Sequence, residues 1–409
     1  MKRTFRYYLK PTASQRQKLD QTLELCCWFH NFLLEQFRER DKRGEKQFTK
    51  KELQDLLPEI KKRHLFLKEV HSQSLQEVAK SVYKNWQKYK ELKKLDNKKG
   101  HPKFKSVHRY NSFVYTQPVD KVGCGYKINN SPLNQKKEIR KLEISLGRQN
   151  NKNIQIETKT TMERNIEGKI KSLTIKRKNG RYYACFSCDE IQPNPLPPTN
   201  KSIGIDVNLN KSSYITLSTG KKYKHPQFYK KIEEKLKSRN KALSRKQKGS
   251  QNWLDAKLQL AKKWEKVVNQ SKYYSRQVAN ELVKDYDNIA IEDLKIRNMV
   301  RQRTLAKSIQ QARWGILFKV ISEAAEIATR GLVRVNPRNT SQTCSDCGEL
   351  LKNKLTLNQR MFRCEACKLE LDRDVNSARN VLNRAIVENR FDQNLPLNKE
   401  KNYSLVSRL

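Results

Sequence analysis

The spacing of apolar residues divides the first half of the chain into a helical part and a strand-rich part. In residues 14–40 and about 72–95, apolar positions recur at the three- and four-residue spacing of amphipathic helices. Between roughly residues 102 and 190 the pattern changes to short alternating segments separated by Asn-Gly and basic turns, which is typical of an antiparallel barrel or sandwich. The opening segment RTFRYYLKP, ended by Pro11, predicts one further strand.

A proline-rich segment, IQPNPLPPTNK, predicts a semi-rigid linker at residues 191–200. Beyond it, the apolar segments KSIGID and DNIAIE predict buried strands that end on carboxylates, Asp206 and Glu292. The segment 229–285 is largely helical and strongly basic, and a helix from about 309 to 330 leads to the strand GLVRVN. This order of strands and helices favours a mixed α/β sheet.

Four cysteines near the C-terminus form two CxxC pairs separated by sixteen residues, at Cys344, Cys347, Cys364 and Cys367. Two CxxC turns about 15–20 residues apart let two loops converge on one zinc ion. No histidine lies in this region, so we expect one structural zinc held by four thiolates. Cys185 and Cys188 are also three residues apart, but in a predicted strand they point to opposite faces and cannot share a metal.

The charge balance indicates a polyanion as the main partner. The chain has 87 Lys and Arg against 42 Asp and Glu, a formal charge of +45, and the basic residues are spread along its whole length. A basic membrane-surface protein is the alternative, but no apolar run approaches the roughly 18 residues that span a bilayer. Nine cysteines, four of them spaced for zinc, fit a reducing compartment. We therefore expect nucleic acid as partner, with no membrane and no small-molecule substrate.

Carboxylates at strand and helix ends suggest phosphodiester hydrolysis. Besides Asp206 and Glu292, the string LDRDVNSARN places Asp372 and Asp374 at the start of a final helix predicted at about 376–384. Two Mg²⁺ or Mn²⁺ ions held by acidic ligands supply the hydroxide and the charge neutralisation that this hydrolysis needs. Any one acid could instead cap a helix or pair with a cation, and Asp372 in particular stands where an N-cap would.

Six motifs, in this order and separation, resemble the TnpB family, the transposon-encoded compact relatives of type V CRISPR effector nucleases. They are GIDVNLN, LSRKQKGS, IAIEDLKIRNM, TSQTCSDCG, FRCEAC and LDRDVNSARN. The N-terminal half matches in weaker form through FRYYLKPTASQ, SVYKNWQKY, and HPKFKS followed by SFVYT. The resemblance therefore covers most of the chain up to about residue 386.

The resemblance implies a multidomain α+β fold. Its parts would be a helical recognition lobe, a β-barrel wedge domain, and a RuvC-like α/β nuclease domain of RNase H fold with an inserted four-cysteine zinc knuckle. The expected bounds are the first wedge strand at 1–10, the recognition domain at 11–100, the wedge barrel at 101–190, the linker at 191–200, the nuclease at 201–340, the zinc insertion at 341–370, the last nuclease helix at 371–386 and a disordered tail at 387–409.

By the same resemblance, the three nuclease acids map onto Asp206, Glu292 and Asp374, which would be catalytic and would hold Mg²⁺ or Mn²⁺. This chain departs from the family pattern at two nearby positions. The residue two after Asp206 is usually glycine and is Asn208 here. If φ is positive at this position, asparagine is the non-glycine residue that adopts the conformation with the least strain. Ser377 replaces a small apolar residue, a change that we expect to be tolerated.

The sequence therefore predicts an RNA-guided DNA endonuclease that binds a transposon-derived guide RNA and cleaves target double-stranded DNA beside a short motif. Five residues are candidates for nucleic-acid contacts. Gln73 and Gln76 could pair with adenine, Lys103 could contact phosphate, and Phe104 and Tyr115 could stack on bases. A solvated helix face is the alternative for the two glutamines, and core packing is the alternative for the two aromatic residues.

Two other functions remain open from the sequence. One is a miniature CRISPR effector with the same chemistry, encoded beside a repeat array. The other is a regulator that uses guide RNA to occupy DNA without cutting, which the intact acids weigh against. A transposase with a closely spaced histidine pair is disfavoured, because no two of the six histidines are closer than seven positions. We expect a cytoplasmic protein of a prokaryote, acting at the nucleoid.

Overall fold

The computed structural model divides the chain into two compact units, Met1–Gln192 and Pro193–Leu409. It describes residues 1–97, 99–117, 124–129, 139–150, 152–162, 164–356, 359–388 and 391. The tail predicted at 387–409 lies almost entirely outside the described residues. Among the helices that are described, none combines the length and the apolar character needed to cross a membrane.

The helices of the first unit come before most of its strands. They are α1 Ala13–Lys42, α2 Lys50–Asp55, α3 Leu57–Arg63 and α4 Ser72–Leu95, with short 3₁₀ helices at Leu65–Glu69 and Val107–Arg109. Thr12 is the N-cap of helix α1: its hydroxyl accepts from the Gln15 backbone amide, and the Gln15 side chain accepts from the Thr12 backbone amide. This reciprocal capping satisfies two donors that a helix start would otherwise leave free. The two long helices predicted from apolar spacing are confirmed.

Seven antiparallel strands form the sheet of the first unit. They are β1 Arg3–Lys10, β2 Ser112–Tyr115, β3 Tyr126–Asn129, β4 Ile139–Gln149, β5 Lys152–Thr161, β6 Lys169–Lys178 and β7 Arg181–Asp189. Their order is β2-β6-β7-β1-β5-β4-β3, so the first strand of the chain lies at the centre. Alternate residues along these strands are buried, as the period-two pattern predicted. In the part of the chain that the structure describes, β2 and β3 end this order, and closure into a barrel stays a prediction.

The second unit contains a mixed five-stranded sheet with helices around it. Its elements are β8 Ser202–Val207, β9 Ile215–Leu217, β10 Lys222–Tyr223, α5 Glu233–Ser244, α6 Gln251–Asp285, β11 Asn288–Glu292, α7 Ile296–Met299, α8 Arg303–Ala312, α9 Trp314–Ala328, β12 Gly331–Val335, β13 Met361–Arg363, β14 Glu370–Asp372 and α10 Arg373–Val387. The sheet order is β10-β9-β8-β11-β12, with β8, β11 and β12 parallel. The predicted mixed α/β sheet is confirmed.

The single helix predicted at about 309–330 is wrong at its start. Helix α8 ends at Ala312 and α9 begins at Trp314, because Arg313 between them is left-handed, with φ 55° and ψ 34°. This conformation is uncommon for a residue with a side chain. The hydroxyl of Tyr214 donates to the carbonyl of Ala312 over 2.6 Å and satisfies an acceptor that the helix end exposes.

A buried ion pair fixes the proline-rich segment to the second unit. The guanidinium of Arg330 lies 2.5 Å from the carboxylate of Asp287, and both side chains are at most 2% exposed. Asp287 also accepts from the backbone amides of Thr199 and Asn200, and Arg330 donates to the carbonyl of Pro197. Because both charges have further hydrogen-bonding partners, the pair can remain buried. It joins the segment before β8 to the residues that precede β11 and β12.

Replacing Arg330 with Met would leave Asp287 buried without its cation. We expect the free energy of unfolding to fall by about 3–5 kcal/mol, because an uncompensated buried charge is costly. Urea denaturation followed by tryptophan fluorescence measures this loss. The matched control is Arg363→Met in the exposed pair with Glu370, for which the loss should stay below about 1 kcal/mol. Equally small losses for the two variants would contradict this role of Arg330.

Candidate metal centres

Three carboxylates meet at one edge of the mixed sheet. Asp206 is the penultimate residue of β8 and Glu292 is the last residue of β11, and these two parallel strands are neighbours. Asp374 lies in the first turn of α10. The three residues are buried, with 7%, 6% and 5% of their surfaces exposed, respectively. Because the carboxyl ends of parallel strands fall at the same edge of a sheet, the two strand-end acids lie side by side.

The alternation of side chains along β11 turns Glu292 toward α10. Ala290, two residues earlier, belongs to an apolar cluster with Val381 of α10. Ile289 and Ile291 point the other way and pack with residues of α6 and α9. Since residues two apart in a strand share a face, Glu292 faces the same side as Ala290. The acid is therefore on the face that α10 covers.

Glycine in β8 lets α10 come close to the sheet. A Cβ atom on Gly204 would lie 2.1 Å from the carbonyl oxygen of Ala378 in α10, so a side chain there would push the helix away. Gly204 is two residues before Asp206 and shares its face. The close approach brings the first turn of α10, and with it Asp374, to the ends of β8 and β11.

The electrostatics of this site favour a cation. Burial raises the pKa of Asp206 well above its usual range, and the charges of Glu292 and Asp374 raise this pKa further. Burial also raises the pKa of Glu292, against a hydrogen bond from Thr340. Arg360 approaches Asp374 only to 3.9 Å and is half exposed, so it balances little of this charge. The donor set consists of hard oxygen atoms and fits a divalent cation such as Mg²⁺ or Mn²⁺.

Neutral side chains hold two of the acids from distant parts of the chain. The Thr340 hydroxyl donates to Glu292 over 2.8 Å, and the Ser213 hydroxyl donates to Asp374 over 2.7 Å. The partners are 48 and 161 residues apart in sequence, respectively. Thr340 lies in the motif TSQTCSDCG, but nothing in that motif indicates a hydrogen bond to Glu292. Ser213 lies outside the motifs, and a single serine in a loop has no periodic signal.

Asp372 is the N-cap of α10. Its Oδ1 accepts from the backbone amides of Asp374 and Val375 over 3.0 and 3.2 Å, and its Oδ2 lies 2.6 Å from the ammonium group of Lys222. The N-cap interpretation of Asp372 is confirmed. Both of its oxygens are engaged, and it is Asp374 that lies beside the strand-end acids.

The four cysteines of the two CxxC pairs form one cluster. Their sulfur atoms all lie within 4.8 Å of one another, and these residues form no disulfide. Burial opposes ionisation of Cys364, but the backbone amides of Cys367 and Ala366 and the thiol of Cys347 outweigh it and lower the pKa of Cys364 to about 7. A four-thiolate set at this spacing can bind zinc.

No other set of three or more metal-binding side chains among the described residues is this compact. The three acids do not form such a set among the described residues.

A loop at residues 340–345 joins the cysteine cluster to α10. Three asparagines at successive turns of the helix bind the backbone of this loop, namely Asn376, Asn380 and Asn383. The hydrogen bonds measure between 2.6 and 2.9 Å. Because the loop contains Cys344 and the helix carries Asp374, the position of the cluster is tied to the position of that acid.

The two glutamines that were predicted to read bases differ in their burial. Gln73 is 5% exposed at the start of α4, and its amide bonds to Gln117, so it does not lie on a solvated helix face. Gln76 is half-buried, and its contact with a base stays a prediction. Tyr115 is fully buried and its hydroxyl donates to the carbonyl of Ser145 over 2.8 Å, so the core-packing interpretation is confirmed for this residue.

Lys103 and Phe104 lie in an irregular segment before β2 and not in the sheet where the sequence analysis placed them. Both side chains are exposed, Phe104 to 49%. The guanidinium of Arg38 lies 4.2 Å from the centre of the Phe104 ring, a cation–π contact. An exposed ring beside a cation is suited to nucleotide stacking, and this role stays a prediction.

Three family models match successive parts of the chain. A model described as a helix-turn-helix domain matches residues 1–46, one described as "Probable transposase" matches residues 185–303, and one described as a Cas12f1-like TNB domain matches residues 314–381. The last of these spans α9, the cysteine cluster and the acid-bearing start of α10.

Two relatives align with nearly the whole chain, and both carry the name "Putative RNA-guided DNA endonuclease". The one from Streptomyces pristinaespiralis is 27% identical and covers 93% of this chain and 89% of its own length. The one from Escherichia coli strain K12, InsQ, is 26% identical, and the alignment covers 92% of this chain and 91% of the length of InsQ. The resemblance to the TnpB family that the sequence motifs indicated is thereby confirmed over most of the chain.

The fold of this protein has a counterpart among solved structures. It matches the protein chain in a cryo-EM structure of a Cas12f1–sgRNA–target DNA complex with a TM-score of 0.59. The match covers 90% of this chain and 83% of that chain at 17% identity. Identity this low supports a shared mixed α+β fold and nothing finer.

The cysteine cluster generates a prediction about metal content. Cys344→Ser and Cys367→Ala should each lose about one zinc per chain, because a four-thiolate site depends on all of its ligands. Elemental analysis of the purified protein measures this loss. Cys185→Ser, on β7 in the first unit, is the matched control and should keep the metal. Native protein without zinc would refute the assignment.

Proposed function

We propose that this protein is an RNA-guided DNA endonuclease. It binds a guide RNA, selects its target by pairing of that RNA with one DNA strand, and cleaves double-stranded DNA beside a short motif. The observation that carries the proposal is the convergence of Asp206, Glu292 and Asp374 at one buried edge of the mixed sheet. The two relatives named as RNA-guided DNA endonucleases support the same activity.

The domain layout that goes with this function follows the two compact units. We assign the mixed sheet to a RuvC-like nuclease domain of RNase H fold, and the segment between β12 and α10 to an inserted zinc knuckle. The antiparallel sheet is the wedge domain and the helices α1 to α4 are the recognition domain. The proposed bounds are 1–10 and 101–190 for the wedge, 11–100 for recognition, 201–340 and 371–386 for the nuclease, and 341–370 for the zinc insertion.

The three acids would hold two divalent cations, Mg²⁺ or Mn²⁺. When bound, such cations supply hydroxide near neutral pH and neutralise the charge that develops on the phosphate. The contribution of the chain is to keep the ligands in place. Asp206 and Glu292 are fixed by adjacent strands, Asp374 is fixed by the capped start of α10, and the hydroxyls of Thr340 and Ser213 restrain two of the carboxylates. Burial strengthens the attraction between these acids and a cation, because the site has a lower dielectric constant than water.

The cysteine cluster has a structural role in this account. Four thiolates fill every position of a tetrahedral zinc ion and leave none for a substrate. Zinc would fix the two CxxC turns, and the asparagine contacts of α10 would carry that rigidity to Asp374. Cleavage should therefore fall together with zinc content.

Nucleic-acid binding would depend mainly on phosphate contacts. A net charge of +45 on 409 residues strongly favours polyanions, and a folded RNA would neutralise it while releasing counterions. Gln76, Lys103 and Phe104 are the residues that we propose for local contacts. Gln73 and Tyr115 are left out because their side chains are buried.

The complete set of acids favours cleavage over binding alone. A protein that only occupied DNA would gain nothing from three like charges in a buried site, and their repulsion would destabilise its fold. A miniature CRISPR effector would use the same chemistry. The genes beside the coding sequence distinguish that origin from a transposon.

Single replacement of Asp206, Glu292 or Asp374 by Ala should abolish cleavage. Loss of one group that stabilises a transition state typically costs about 10²–10³-fold in rate, and binding of RNA and target DNA should change little. Cleavage of a labelled target and filter binding measure the two effects. EDTA should stop the native reaction, and Mg²⁺ should restore it.

Asp372→Asn is the matched control for the third acid. Asn keeps an oxygen that can cap α10, so this variant should cleave at close to the native rate. Native-like cleavage by Asp374→Ala, with loss in Asp372→Asn, would transfer the third ligand to Asp372.

RNA should be the constitutive partner. Protein purified from its host at moderate salt should show a raised ratio of absorbance at 260 nm to that at 280 nm, because RNA remains bound to it. This protein should cleave only DNA that matches the bound RNA. For ten phosphate contacts the slope of log K against log salt is about −9 on duplex DNA and somewhat shallower on single strands. RNA-free protein that cuts DNA without any guide would leave a plain nuclease and overturn the RNA-guided assignment.

A further inference from the structure

The carboxylate of Asp206 is held at both of its oxygens by neutral donors. The side-chain amide of Asn208 donates to Oδ2 over 2.7 Å, and the hydroxyl of Ser377 donates to Oδ1 over 3.0 Å. Asn208 follows the end of β8, whereas Ser377 lies on α10. A carboxylate held by two elements cannot rotate without breaking a hydrogen bond, so its plane is fixed.

Local backbone requirements do not explain these two side chains. Asn208 is not among the described residues with positive φ, so the conformational reason for an asparagine at this position does not apply. Ser377 is 2% exposed inside a helix, where a hydroxyl without a partner would be costly. Its partner is Asp206.

The neutrality of the donors matters for metal binding. A Lys or Arg in contact with Asp206 would cancel its charge and compete with a cation, which an amide and a hydroxyl do not do. An ionised carboxylate has about four lone-pair positions, and two hydrogen bonds leave about half of them for other partners. Asp206 is thus restrained and still able to act as a ligand.

We propose that Asn208 and Ser377 are positioning residues that hold Asp206 in one orientation as a ligand for the divalent cations of the nuclease site. The inference rests on the proposed function, since it needs Asp206 to be a metal ligand. Removing a hydrogen-bonding partner of a metal ligand typically weakens metal affinity or activity by about 10–100-fold.

Binding of Mn²⁺ to the full-length protein, purified with its bound RNA, tests this inference. Electron paramagnetic resonance measures free Mn²⁺, and bound Mn²⁺ follows by difference. The Mn²⁺ binding that is lost in Asp206→Ala is the binding that depends on this acid. Asn208→Ala and Ser377→Ala should each weaken the affinity of this Asp206-dependent Mn²⁺ binding by about 10-fold or more. The double variant should lose less than the product of the two effects, because both donors restrain the same carboxylate.

The same loop offers matched controls. Asn210 and Ser212 hydrogen-bond to each other, and Asn210→Ala and Ser212→Ala should bind Mn²⁺ like the native protein. Ser377→Thr keeps the hydroxyl and should restore most of the affinity, which a change in packing alone would not do. In cleavage assays the Mg²⁺ concentration for half-maximal rate should rise in Asn208→Ala, while the rate at saturating Mg²⁺ should stay close to native.

Native or tighter Mn²⁺ binding by Asn208→Ala and Ser377→Ala would overturn the inference. If Asp206→Ala itself kept all Mn²⁺ binding, the metal site of the proposed function would fail instead, so the two failures are distinguishable. Circular dichroism identifies a variant that does not fold. Should Ser377→Ala be such a variant, Asn208→Ala, at a half-buried loop position, decides the question.

Discussion

Repulsion among three buried carboxylates is the constraint on which the architecture of the second unit depends. Burial and neighbouring negative charge both disfavour the ionised form of Asp206, so the surrounding structure must hold the acids together against these effects. Adjacent parallel strands set two of the acids side by side, and Gly204 lets α10 approach closely enough to add the third. Hydroxyl and amide donors then restrain the carboxylates without cancelling their charge. The result is a restrained cluster of acids whose hard oxygen atoms suit a divalent cation.

The cysteine cluster is linked to the same acids through one loop. Its first CxxC turn belongs to the loop 340–345, which three side chains of α10 bind and whose Thr340 donates to Glu292. The cluster therefore contacts two of the acid-bearing elements through one loop. A metal ion that orders the cysteines would also order the loop, so loss of zinc would be expected to disturb the acids even though the zinc site has no open position for a substrate.

Sequence reasoning recovered the features that depend on local pattern and missed those that depend on tertiary contacts. Periodic or motif signals mark the helices α1 and α4, the strands that carry Asp206 and Glu292 near their ends, and the cysteine spacing. The structure contains each of these features. The break at Arg313 has no such signal, because a left-handed residue between two helices is a tertiary outcome. Gln73 was predicted from its residue type alone, and only the fold shows that Gln117 engages it. Thr340 and Ser213 donate from loops 48 and 161 residues away from the acids that they bind, and no short window of sequence reveals these contacts.

The central claim is that Asp206, Glu292 and Asp374 together form the metal centre of a guide-dependent nuclease. A structure of the full-length protein with its guide RNA and matched DNA in Mn²⁺, with the anomalous signal of manganese recorded, tests it most directly. The account predicts manganese bound by oxygens of these three acids, next to a phosphate of the DNA. Manganese bound elsewhere, with the three acids free of metal, would contradict it.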